Sequence, residues 1–373
     1  MEKILVTGGL GFIGSHTVDR LISSGYQVRV FDNVESQVHA GKIPSYLNRE
    51  AEFFRGDIRY RKHWLEALDG VDGVIHLAGA VGISQSFWEA KKYADVNVGG
   101  TSALYEILTK EKKIRSRIRK IVVASSKSLY GEGSYRCAVH GPQNPEVRPL
   151  KQLERKEWEV KCPVCNQEMV PIGVQEGKTA QNLNPYSLSK YATEKLAMDF
   201  SYALRIPTVA FRYFNAYGER QSLSNPYTGV IAIFLSRLKN GNSPLLFEDG
   251  NQLRDYIHVS DVASLNVAAL DHGNGVYNLG TGKPSSLSEI VTLLNKKLGT
   301  SIAPKIPQDF RVGDNRHDYA DITRLESDFG RIKFTPLDEG ISRLCKWAES
   351  SMAVDKFEGA ERERKRYLEN SEK

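Results

Sequence analysis

The sequence predicts an α/β protein built on a doubly wound parallel sheet. Short runs of branched apolar residues, typical of buried strands, alternate along the first half of the chain with helical stretches such as Phe12–Ser24 and Asn97–Lys110. This alternation is expected to place helices on both faces of the sheet. The predicted strands are Lys3–Thr7, Gln27–Asp32, Glu52–Asp57, Gly73–Ala78 and Lys120–Ser125.

Composition and charge favour a globular protein without a nucleic-acid or membrane partner. The chain has 373 residues, of which 40% are hydrophobic and 26% charged, so it can bury a sizeable core. Its net charge of +6 is concentrated in Lys112–Lys120 and around Arg362–Arg366, as in solvated helix faces. No apolar run approaches the roughly 18 residues of a membrane span. Because Met1 lies only a few residues before the first predicted strand, no signal peptide is expected, and the four cysteines are then expected to lie in the reducing cytoplasm.

A glycine-rich turn joins the first predicted strand to the first predicted helix. Gly8, Gly11 and Gly14 recur where a Rossmann-type fold binds a dinucleotide, because glycine lets the backbone approach the pyrophosphate. Asp32 ends the second predicted strand and can accept hydrogen bonds from the ribose hydroxyls. Since a carboxylate repels a 2′-phosphate, NAD is predicted over NADP. The alternative interpretation is that Asp32 caps a turn or helix at Asp32-Asn33.

Tyr186 and Lys190 are four residues apart, so on a helix they lie on one face. An ammonium group there favours the tyrosinate and is expected to draw the pKa of the phenol from about 10 towards neutrality. Such a phenol can accept the proton of a sugar or alcohol hydroxyl while a nicotinamide accepts a hydride. Together with the glycine-rich turn, this pair indicates a nicotinamide-dependent active site.

An ordered series of motifs over about residues 3–345 resembles the extended short-chain dehydrogenase/reductase superfamily, in its NAD-dependent nucleotide-sugar epimerase/dehydratase branch. The motifs are Gly8–Gly14, Asp57-Ile58, His76–Gly79, Asn97, Ser125–Gly131, Tyr186–Lys190, Arg212–Gly218, Arg254–Val259, Asn278–Gly280 and Arg311–Asp314. By that resemblance, Ser126, Tyr186 and Lys190 are the catalytic residues. The residues expected to bind NAD are Gly8, Gly11, Phe12, Ile13, Gly14, Asp32, Asn33, Asp57, Ile58, Leu77, Ala78, Gly79, Asn97, Tyr186, Lys190 and Tyr213. Those expected to hold a nucleoside-diphosphate sugar are Ser126, Asn215, Asn225, Arg254, Arg311 and Asp314.

The residues after Ser126 separate two reactions of this branch. Sugar 4,6-dehydratases carry Asp-Glu at the positions of Lys127 and Ser128, because elimination of water needs an extra acid and base. The resemblance therefore favours an epimerase, which inverts C4 of a nucleoside-diphosphate hexose by reversible hydride transfer through a 4-keto intermediate. An alternative from another class is a catalytically idle NAD-binding module that binds RNA or a protein.

Two loops and one long separation point to a finer resemblance. Gln221–Val230 and Gly82–Ser86 are similar to loops of the dTDP-L-rhamnose 4-epimerases. The 60 positions from Ser126 to Tyr186 indicate an insertion between these two residues, which is a further similarity to these epimerases. This implies dTDP-L-rhamnose and dTDP-6-deoxy-L-talose as the substrate pair. UDP-glucose, UDP-glucuronate and UDP-GlcNAc 4-epimerases remain alternatives. The family also implies a homodimer, formed through the helices Asn97–Lys110 and Tyr186–Arg205.

The insertion contains two pairs of residues with the spacing of metal ligands. Cys137-x-x-His140 and Cys162-x-x-Cys165 supply three thiolates and one imidazole, which form a closed tetrahedral zinc site of a structural kind. A loop of this length needs such a crosslink to become ordered, so a zinc-knuckle-like loop is predicted. The alternatives are two unrelated pairs or a thioredoxin-like motif, although the fold context of the latter is absent.

Three parts of the chain are predicted to have different roles. Residues 1–216 form an NAD-binding Rossmann domain that carries the insertion at about 132–182. From about Tyr217 the pattern becomes irregular, which predicts a smaller mixed α/β lobe over 217–350 that binds the nucleotide-sugar and from which the chain can cross back. Residues 351–373 form a charged tail, expected to be a peripheral helix or frayed.

Overall fold

The computed structural model describes residues 2–39, 41–227 and 229–368, so Thr228 and the last five residues of the predicted tail lie outside the described part. The strands are β1 Lys3–Thr7, β2 Gln27–Asp32, β3 Glu52–Arg55, β4 Gly73–His76, β5 Lys120–Ser126, β6 Ser134–Cys137, β7 Gly141–Gln143, β8 Val170–Ile172, β9 Thr208–Tyr213, β10 Asn215–Tyr217, β11 Leu253–His258, β12 Gly275–Leu279 and β13 Pro284–Ser286. The helices are α1 Phe12–Ser23, α2 Ser36–His39, α3 Arg61–Ala67, α4 Ile83–Trp88, α5 Ala90–Tyr93, α6 Gly100–Lys110, α7 Lys112–Arg115, α8 Leu150–Glu154, α9 Pro185–Leu204, α10 Val230–Lys239, α11 Val259–Ala268, α12 Leu287–Leu298, α13 Thr323–Phe329, α14 Leu337–Glu349 and α15 Phe357–Leu368. A π-helical turn over Ala94–Gly99 joins α5 to α6, and a 3-10 turn over Lys127–Tyr130 follows β5. Of the helices in this described part, none is both long and apolar enough to cross a membrane.

Seven strands form one parallel sheet in the order β12-β9-β5-β4-β1-β2-β3. Helices cover both faces, because the strands are apolar on both sides and must be shielded twice. The pair α1 and α11 packs on one face, and α3, α6 and α9 pack on the other. The doubly wound α/β prediction is therefore confirmed. β12 belongs to this sheet although it follows residue 217, so residues 217–350 contribute to both lobes.

Two strands end earlier than the apolar pattern predicts. β3 stops at Arg55 and β4 stops at His76, two residues before the predicted ends. After β4 the Thr7 hydroxyl accepts hydrogen bonds from the backbone N–H groups of Leu77 and Ala78, at 3.1 Å each. These contacts turn the chain out of the sheet and leave its backbone at the carboxyl edge of the strands.

The smaller lobe is built from the three-stranded sheet β10-β11-β13 and the helices α10, α12 and α14. α12 begins with a capping box, in which the Ser286 hydroxyl accepts from the N–H of Glu289 and the Glu289 carboxylate accepts from the N–H of Ser286. The apolar face of α12 packs against α10 and α14. The core residues of this lobe include Ile231, Leu235, Ile290, Leu294, Ile341 and Leu344.

The insertion forms a small antiparallel sheet, β7-β6-β8, with its own cluster of buried side chains. Its end pairs with the smaller lobe, where the N–H of Val174 donates to the carbonyl of Tyr319 at 2.8 Å. Arg316, which is 1% exposed, donates to carboxylates of both parts, Glu159 of the insertion at 2.6 Å and Glu248 of the lobe at 2.9 Å. The insertion is thus attached to the segment that follows Asp314.

Helix α9 is fixed to the central sheet by a buried ion pair. The guanidinium of Arg212 on β9 donates twice to the carboxylate of Glu194 on α9, at 2.6 and 2.9 Å, and the Ser125 hydroxyl on β5 donates to the same carboxylate at 2.7 Å. Arg212 also donates to the Tyr130 hydroxyl at 2.8 Å. Helix α9 carries Tyr186 and Lys190, while β5 ends at Ser126, so this pair sets the spacing between them.

We predict that Glu194→Ala lowers the free energy of unfolding by about 3–5 kcal/mol, because it leaves the Arg212 charge buried without its partner. Asp199→Ala is the matched control, since it breaks an exposed pair with Lys195 on the same helix and is expected to cost about 0.5 kcal/mol or less. Urea unfolding of both variants measures the difference. An equal loss in the two variants would contradict a stabilising role for the buried pair.

Candidate active site

A cleft of about 740 Å³ lies between the central sheet and the smaller lobe, at the carboxyl ends of the parallel strands. This is where ligands bind in open α/β sheets. All of the predicted cofactor residues except Asn97, and all six predicted substrate residues, line this cleft. The structure therefore brings the two predicted sets together, although they are widely separated in the sequence.

The glycine-rich turn forms one end of the cleft and suits a dinucleotide. Gly8 has a φ of +66°, and a Cβ atom there would lie 2.8 Å from the backbone of Ala78. A Cβ atom on Gly14 would lie 2.1 Å from the carbonyl oxygen of Gly8. Among the described residues, no side chain caps the N-terminus of α1, which begins after Gly11. Its backbone N–H groups can therefore bind a pyrophosphate, so the residues present fit NAD.

Asp32 lines the cleft and also makes the turn contacts of the alternative interpretation. Its carboxylate accepts hydrogen bonds from the N–H of Leu10 at 3.1 Å and from the N–H of Val34 at 2.8 Å. The first contact fixes the glycine-rich turn against the end of β2. A carboxylate at this position can still accept from ribose hydroxyls, because each oxygen has a second lone pair.

Ser126 and Tyr186 face each other inside the cleft. Ser126 ends β5, and its hydroxyl accepts from the N–H and the hydroxyl of Ser128 at 3.2 and 2.9 Å, so it caps the 3-10 turn that follows. Tyr186 lies in the first turn of α9, where a capping box between Asn184 and Ser187 fixes the helix start. The ring of Tyr93 packs edge-on against the Tyr186 ring, at 6.1 Å between centroids. Tyr93 was not predicted as a site residue. It lies outside the motifs named above, so the sequence around it does not indicate a place in the site.

The electrostatics of this pair differ from the expectation. Burial raises the pKa of the Tyr186 phenol, and the Ser126 hydroxyl opposes only part of that shift. Burial also lowers the pKa of Lys190 to about 8. The predicted shift of the pKa of the phenol towards neutrality was therefore wrong for the protein alone, because desolvation outweighs the hydrogen bond with Ser126.

Lys190 carries a second indication of a ligand. Within the described residues its ammonium group makes no hydrogen bond and no ion pair, although Lys190 is only 5% exposed. It lies next to Gly79, where a Cβ atom would come within 3.5 Å of Nζ. A buried cation without an acceptor fits the hydroxyl-rich ribose of a nicotinamide nucleotide.

Asn97 is the one predicted cofactor residue that does not line the cleft. It is buried behind the cleft wall, where its side chain accepts from the N–H of Ala80 at 2.7 Å and donates to the carbonyl of Ala80 at 3.1 Å. It also donates to the hydroxyl of Ser189 at 2.8 Å. Asn97 thus positions the loop after Gly79, and its contact with NAD stays a prediction.

The predicted substrate residues line the opposite end of the cleft. The guanidinium of Arg254 donates to the carbonyls of Leu253, Asn315 and Arg316 at 2.8–2.9 Å, so the backbone holds it in place. Arg311 lies over the ring of Phe247 at 4.1 Å and pairs with Glu361. Among the described residues, no acceptor contacts the buried Nε of Arg311.

Two groups of cleft residues were missed in the sequence. Lys127 lies beside Ser126 and its ammonium donates to the carboxylate of Asp318 at 2.5 Å. The second group is one face of α15, with four residues lining the cleft: Phe357, Ala360, Glu361 and Arg364. Their spacing of three, four and seven residues is that of a helix face, and this periodicity could have identified a helix that packs against the protein. The tail is thus not merely peripheral.

The four predicted metal ligands form a separate cluster in the insertion. Their sulfur and nitrogen atoms all lie within 4.8 Å of one another, and Cys137 Sγ lies 3.6 Å from both His140 Nδ1 and Cys165 Sγ. Zinc bond lengths in a tetrahedron imply about 3.8 Å between two sulfurs and about 3.6 Å between sulfur and nitrogen. Gly141 and Asn166 follow the two pairs with φ values of +68° and +59°, which closes both turns around the cluster. The backbone N–H of His140 lowers the pKa of the Cys137 thiol to about 6, which favours the thiolate that binds metal.

We predict that Lys190→Met stabilises the cofactor-free protein at pH 7 by as much as about 3 kcal/mol, because it removes a buried charge. The pKa is lower in the folded state than the ordinary 10.5, so the penalty is full below about pH 8. The advantage of the variant should shrink as the pH rises from about 8 towards 10.5. Urea unfolding at several pH values measures it, with the exposed Lys195→Met as a control expected within about 0.5 kcal/mol. A pH-independent difference would contradict the buried-charge explanation.

Comparisons with known proteins agree with this geometry. The chain is 32% identical over 358 residues to the dTDP-L-rhamnose 4-epimerase of Burkholderia thailandensis, covering 93% of this chain and 94% of the relative. The UDP-glucose 4-epimerase of Thermotoga maritima, solved with UDP-glucose, superposes with a TM-score of 0.75 at 29% identity and covers 93% of this chain and 98% of that one. The UDP-glucose 4-epimerase of Thermus thermophilus, solved with NAD, gives a TM-score of 0.73 at 26% identity and covers 94% of this chain and 100% of that one.

The sequence profile of one family matches residues 4–151 and 167–280. The interruption lies inside the insertion and contains Cys162 and Cys165. The expected family is thereby confirmed by both sequence and fold: the chain belongs to the NAD dependent epimerase/dehydratase family.

Proposed function

We propose that the protein is an NAD-dependent nucleotide-sugar 4-epimerase, an isomerase that inverts C4 of a nucleoside-diphosphate hexose through a 4-keto sugar. The observation that carries this proposal is the single cleft in which Ser126, Tyr186 and Lys190 meet the N-terminus of α1 at one end and two arginines at the other. A dinucleotide and a nucleotide-sugar together require both ends. Membership of the family supports the same reaction class.

Proton handling falls to Tyr186 and Ser126. NAD, when bound along the glycine-rich turn, supplies the hydride acceptor and later the hydride donor for C4. The Tyr186 hydroxyl accepts the proton of the C4 hydroxyl and returns it, while the Ser126 hydroxyl orients that oxygen. Lys190 favours the tyrosinate once its charge is held in the site. Because burial alone raises the pKa of Tyr186, ligands that bring positive charge or donors are needed to ionise it.

The contacts of Lys127 support epimerisation over dehydration. Asp318 is the carboxylate that contacts the residue after Ser126: its oxygen accepts from the Lys127 ammonium and lies 3.7 Å from the Arg254 guanidinium. Burial alone would raise its pKa, but these two cations hold the pKa of Asp318 below its usual value. A carboxylate kept ionised in this way is a poor proton donor for an elimination. The reaction is then reversible transfer at C4 without loss of water.

For the substrate we favour dTDP-L-rhamnose and dTDP-6-deoxy-L-talose. The loops at Gln221–Val230 and Gly82–Ser86, the inserted segment and the similarity to the Burkholderia thailandensis protein support this pair. UDP-glucose is the second candidate, with UDP-glucuronate and UDP-GlcNAc as further alternatives, because the Thermotoga maritima relative was solved with UDP-glucose. Incubation with each nucleotide-sugar and NMR analysis of the C4 configuration separates these candidates. Conversion of none of them would favour an idle NAD-binding module.

We predict that Tyr186→Phe lowers turnover by about 100- to 10,000-fold, because it removes the oxygen that accepts the proton. Its fold and retained NAD should match the wild type, since the ring and its packing remain. In a second measurement, the wild type is given a substrate labelled with deuterium at C4. The product should keep this label, because the hydride is transferred to the cofactor and back within the protein. Turnover near the wild-type value would remove Tyr186 from the mechanism, and exchange of the label with solvent would contradict hydride transfer.

We also propose that Cys137, His140, Cys162 and Cys165 hold one structural zinc ion. Four ligands at tetrahedral spacing leave no position for water, and the cluster lies in the insertion and not in the cleft. The insertion has only a small buried cluster of its own, which includes Tyr135, Val160 and Met169. Metal ligation would supply the folding free energy that so small a core lacks.

We predict that Cys162→Ser loses the zinc and makes residues 135–180 sensitive to protease. Elemental analysis of the wild type should give about one zinc per chain, because four ligands complete one tetrahedral site. Cys345→Ser is the matched control, since Cys345 lies buried in α14 outside the insertion and its variant should keep the metal. Metal-free wild-type protein with a protease-resistant insertion would refute the site.

The homodimer expected from the family remains a proposal. The exposed side chains of Leu188 and Tyr202 on α9, at 56% and 91%, support an interface along this helix. The pairing would involve α6 and α9 of each subunit. We likewise propose that the NAD-binding domain ends at residue 216 and that residues 217–350 hold the nucleotide-sugar.

A further inference from the structure

The C-terminal helix α15 contributes one face to the cleft. Phe357, Ala360, Glu361 and Arg364 line it, and they are spaced as successive turns of one helix face. The side chains of Glu361 and Arg364 are 15% and 11% exposed, although α15 is a very polar helix. The burial of two charged side chains at a cleft wall costs free energy unless each charge has a partner, whereas an isolated surface charge remains in water.

Contacts on the other faces of α15 hold it in this place. Glu358 pairs with the buried guanidinium of Arg237 at 3.1 Å, and Arg237 also lies over the ring of Phe357 at 4.6 Å. Further along, Glu363 accepts from the Tyr227 hydroxyl, and the ring of Tyr367 stacks on Trp88 at 5.3 Å. These contacts reach α10, the loop before it and α4, so the helix is anchored along its length.

Glu361 joins two arginines at the substrate end of the cleft. Its carboxylate pairs with the guanidinium of Arg311 and with that of Arg364, the latter at 3.1 Å. Glu361 therefore holds the two guanidinium groups close to each other at the wall of the cleft. A nucleoside diphosphate carries about two negative charges, and the planar donors of arginine suit its phosphate oxygens. The Nε of Arg311, which contacts no acceptor in the part of the chain that the structure describes, adds a position for a ligand oxygen.

We propose that Arg364 of α15 binds the diphosphate of the substrate together with Arg311, with Glu361 holding the two guanidinium groups side by side. This inference rests on the proposed function, because it needs a nucleotide-sugar as ligand. It assigns the charged tail to the substrate site: α15 completes the wall that the sheet and the smaller lobe leave open. Arg364 is thus a binding residue and takes no part in the proton transfer.

The test measures binding of dTDP and UDP to the purified NAD-containing protein by calorimetry. Arg364→Gln should lower the affinity for whichever of the two nucleotides binds more tightly by roughly 10-fold, which is the loss expected for one charge-assisted contact. Arg362→Gln is the matched control, because it removes the same charge from an exposed position on the same helix and should change affinity less than about 2-fold. With a nucleotide-sugar that the wild type converts, KM should rise by a similar factor at nearly constant kcat.

The same calorimetric titrations at several NaCl concentrations distinguish a direct contact of Arg364 with the phosphates from a structural effect of the substitution. Removal of a phosphate contact should make the remaining affinity less sensitive to salt. An affinity loss with unchanged salt dependence overturns the proposal, as does equal affinity of Arg364→Gln and Arg362→Gln, or tighter binding by Arg364→Gln. If the wild type binds neither dTDP nor UDP, the proposed function fails and this inference fails with it. If the wild type binds and converts its substrate but the Arg364 variant behaves like the control, only the inference fails.

Discussion

The geometry of the active site depends on the buried ion pair between Arg212 and Glu194. Ser126 lies at the end of β5 and Tyr186 at the start of α9. Their relative position therefore depends on how α9 packs against the sheet. Apolar packing alone permits sliding, because it has no direction. Two parallel N–H···O contacts fix distance and angle, and the Ser125 hydroxyl connects the same carboxylate to the strand that ends in Ser126.

The cleft contains a charged group whose burial costs free energy and a phenol whose burial opposes its ionisation. Lys190 is enclosed without an acceptor among the described residues, and Tyr186 is held in its neutral form by burial. The buried charge of Lys190 destabilises the protein without ligands and favours the state in which a cofactor and a substrate fill the cleft. Binding free energy is thus coupled to the ionisation of the residues that move the proton. This coupling explains why the pKa of Tyr186 in the protein alone opposes its proposed role.

Local sequence patterns identified the first five strands of the central sheet, although β3 and β4 end two residues before their predicted ends. β1 and β2 match their predicted bounds, because a buried parallel strand is a short apolar run and a glycine-rich turn ends it. Motif spacing also identified the residues around the cleft. It could not show that Asn97 supports a loop from behind, since a buried amide and a ligand-binding amide look the same in sequence. Nor could it place β12 in the central sheet or α15 at the cleft, because both positions depend on contacts between distant segments.

The insertion begins just after Ser126 and ends just before Tyr186, so the catalytic pair closes a loop of about 60 residues. The entropy of closing a flexible loop grows only slowly with its length, by about 0.6 kcal/mol for each doubling. Lengthening this segment therefore costs the active site little, provided that the added residues fold by themselves. A metal-binding module with its own small core meets that condition. The position between the two catalytic residues is for this reason a place where evolution can add or remove structure without moving either of them.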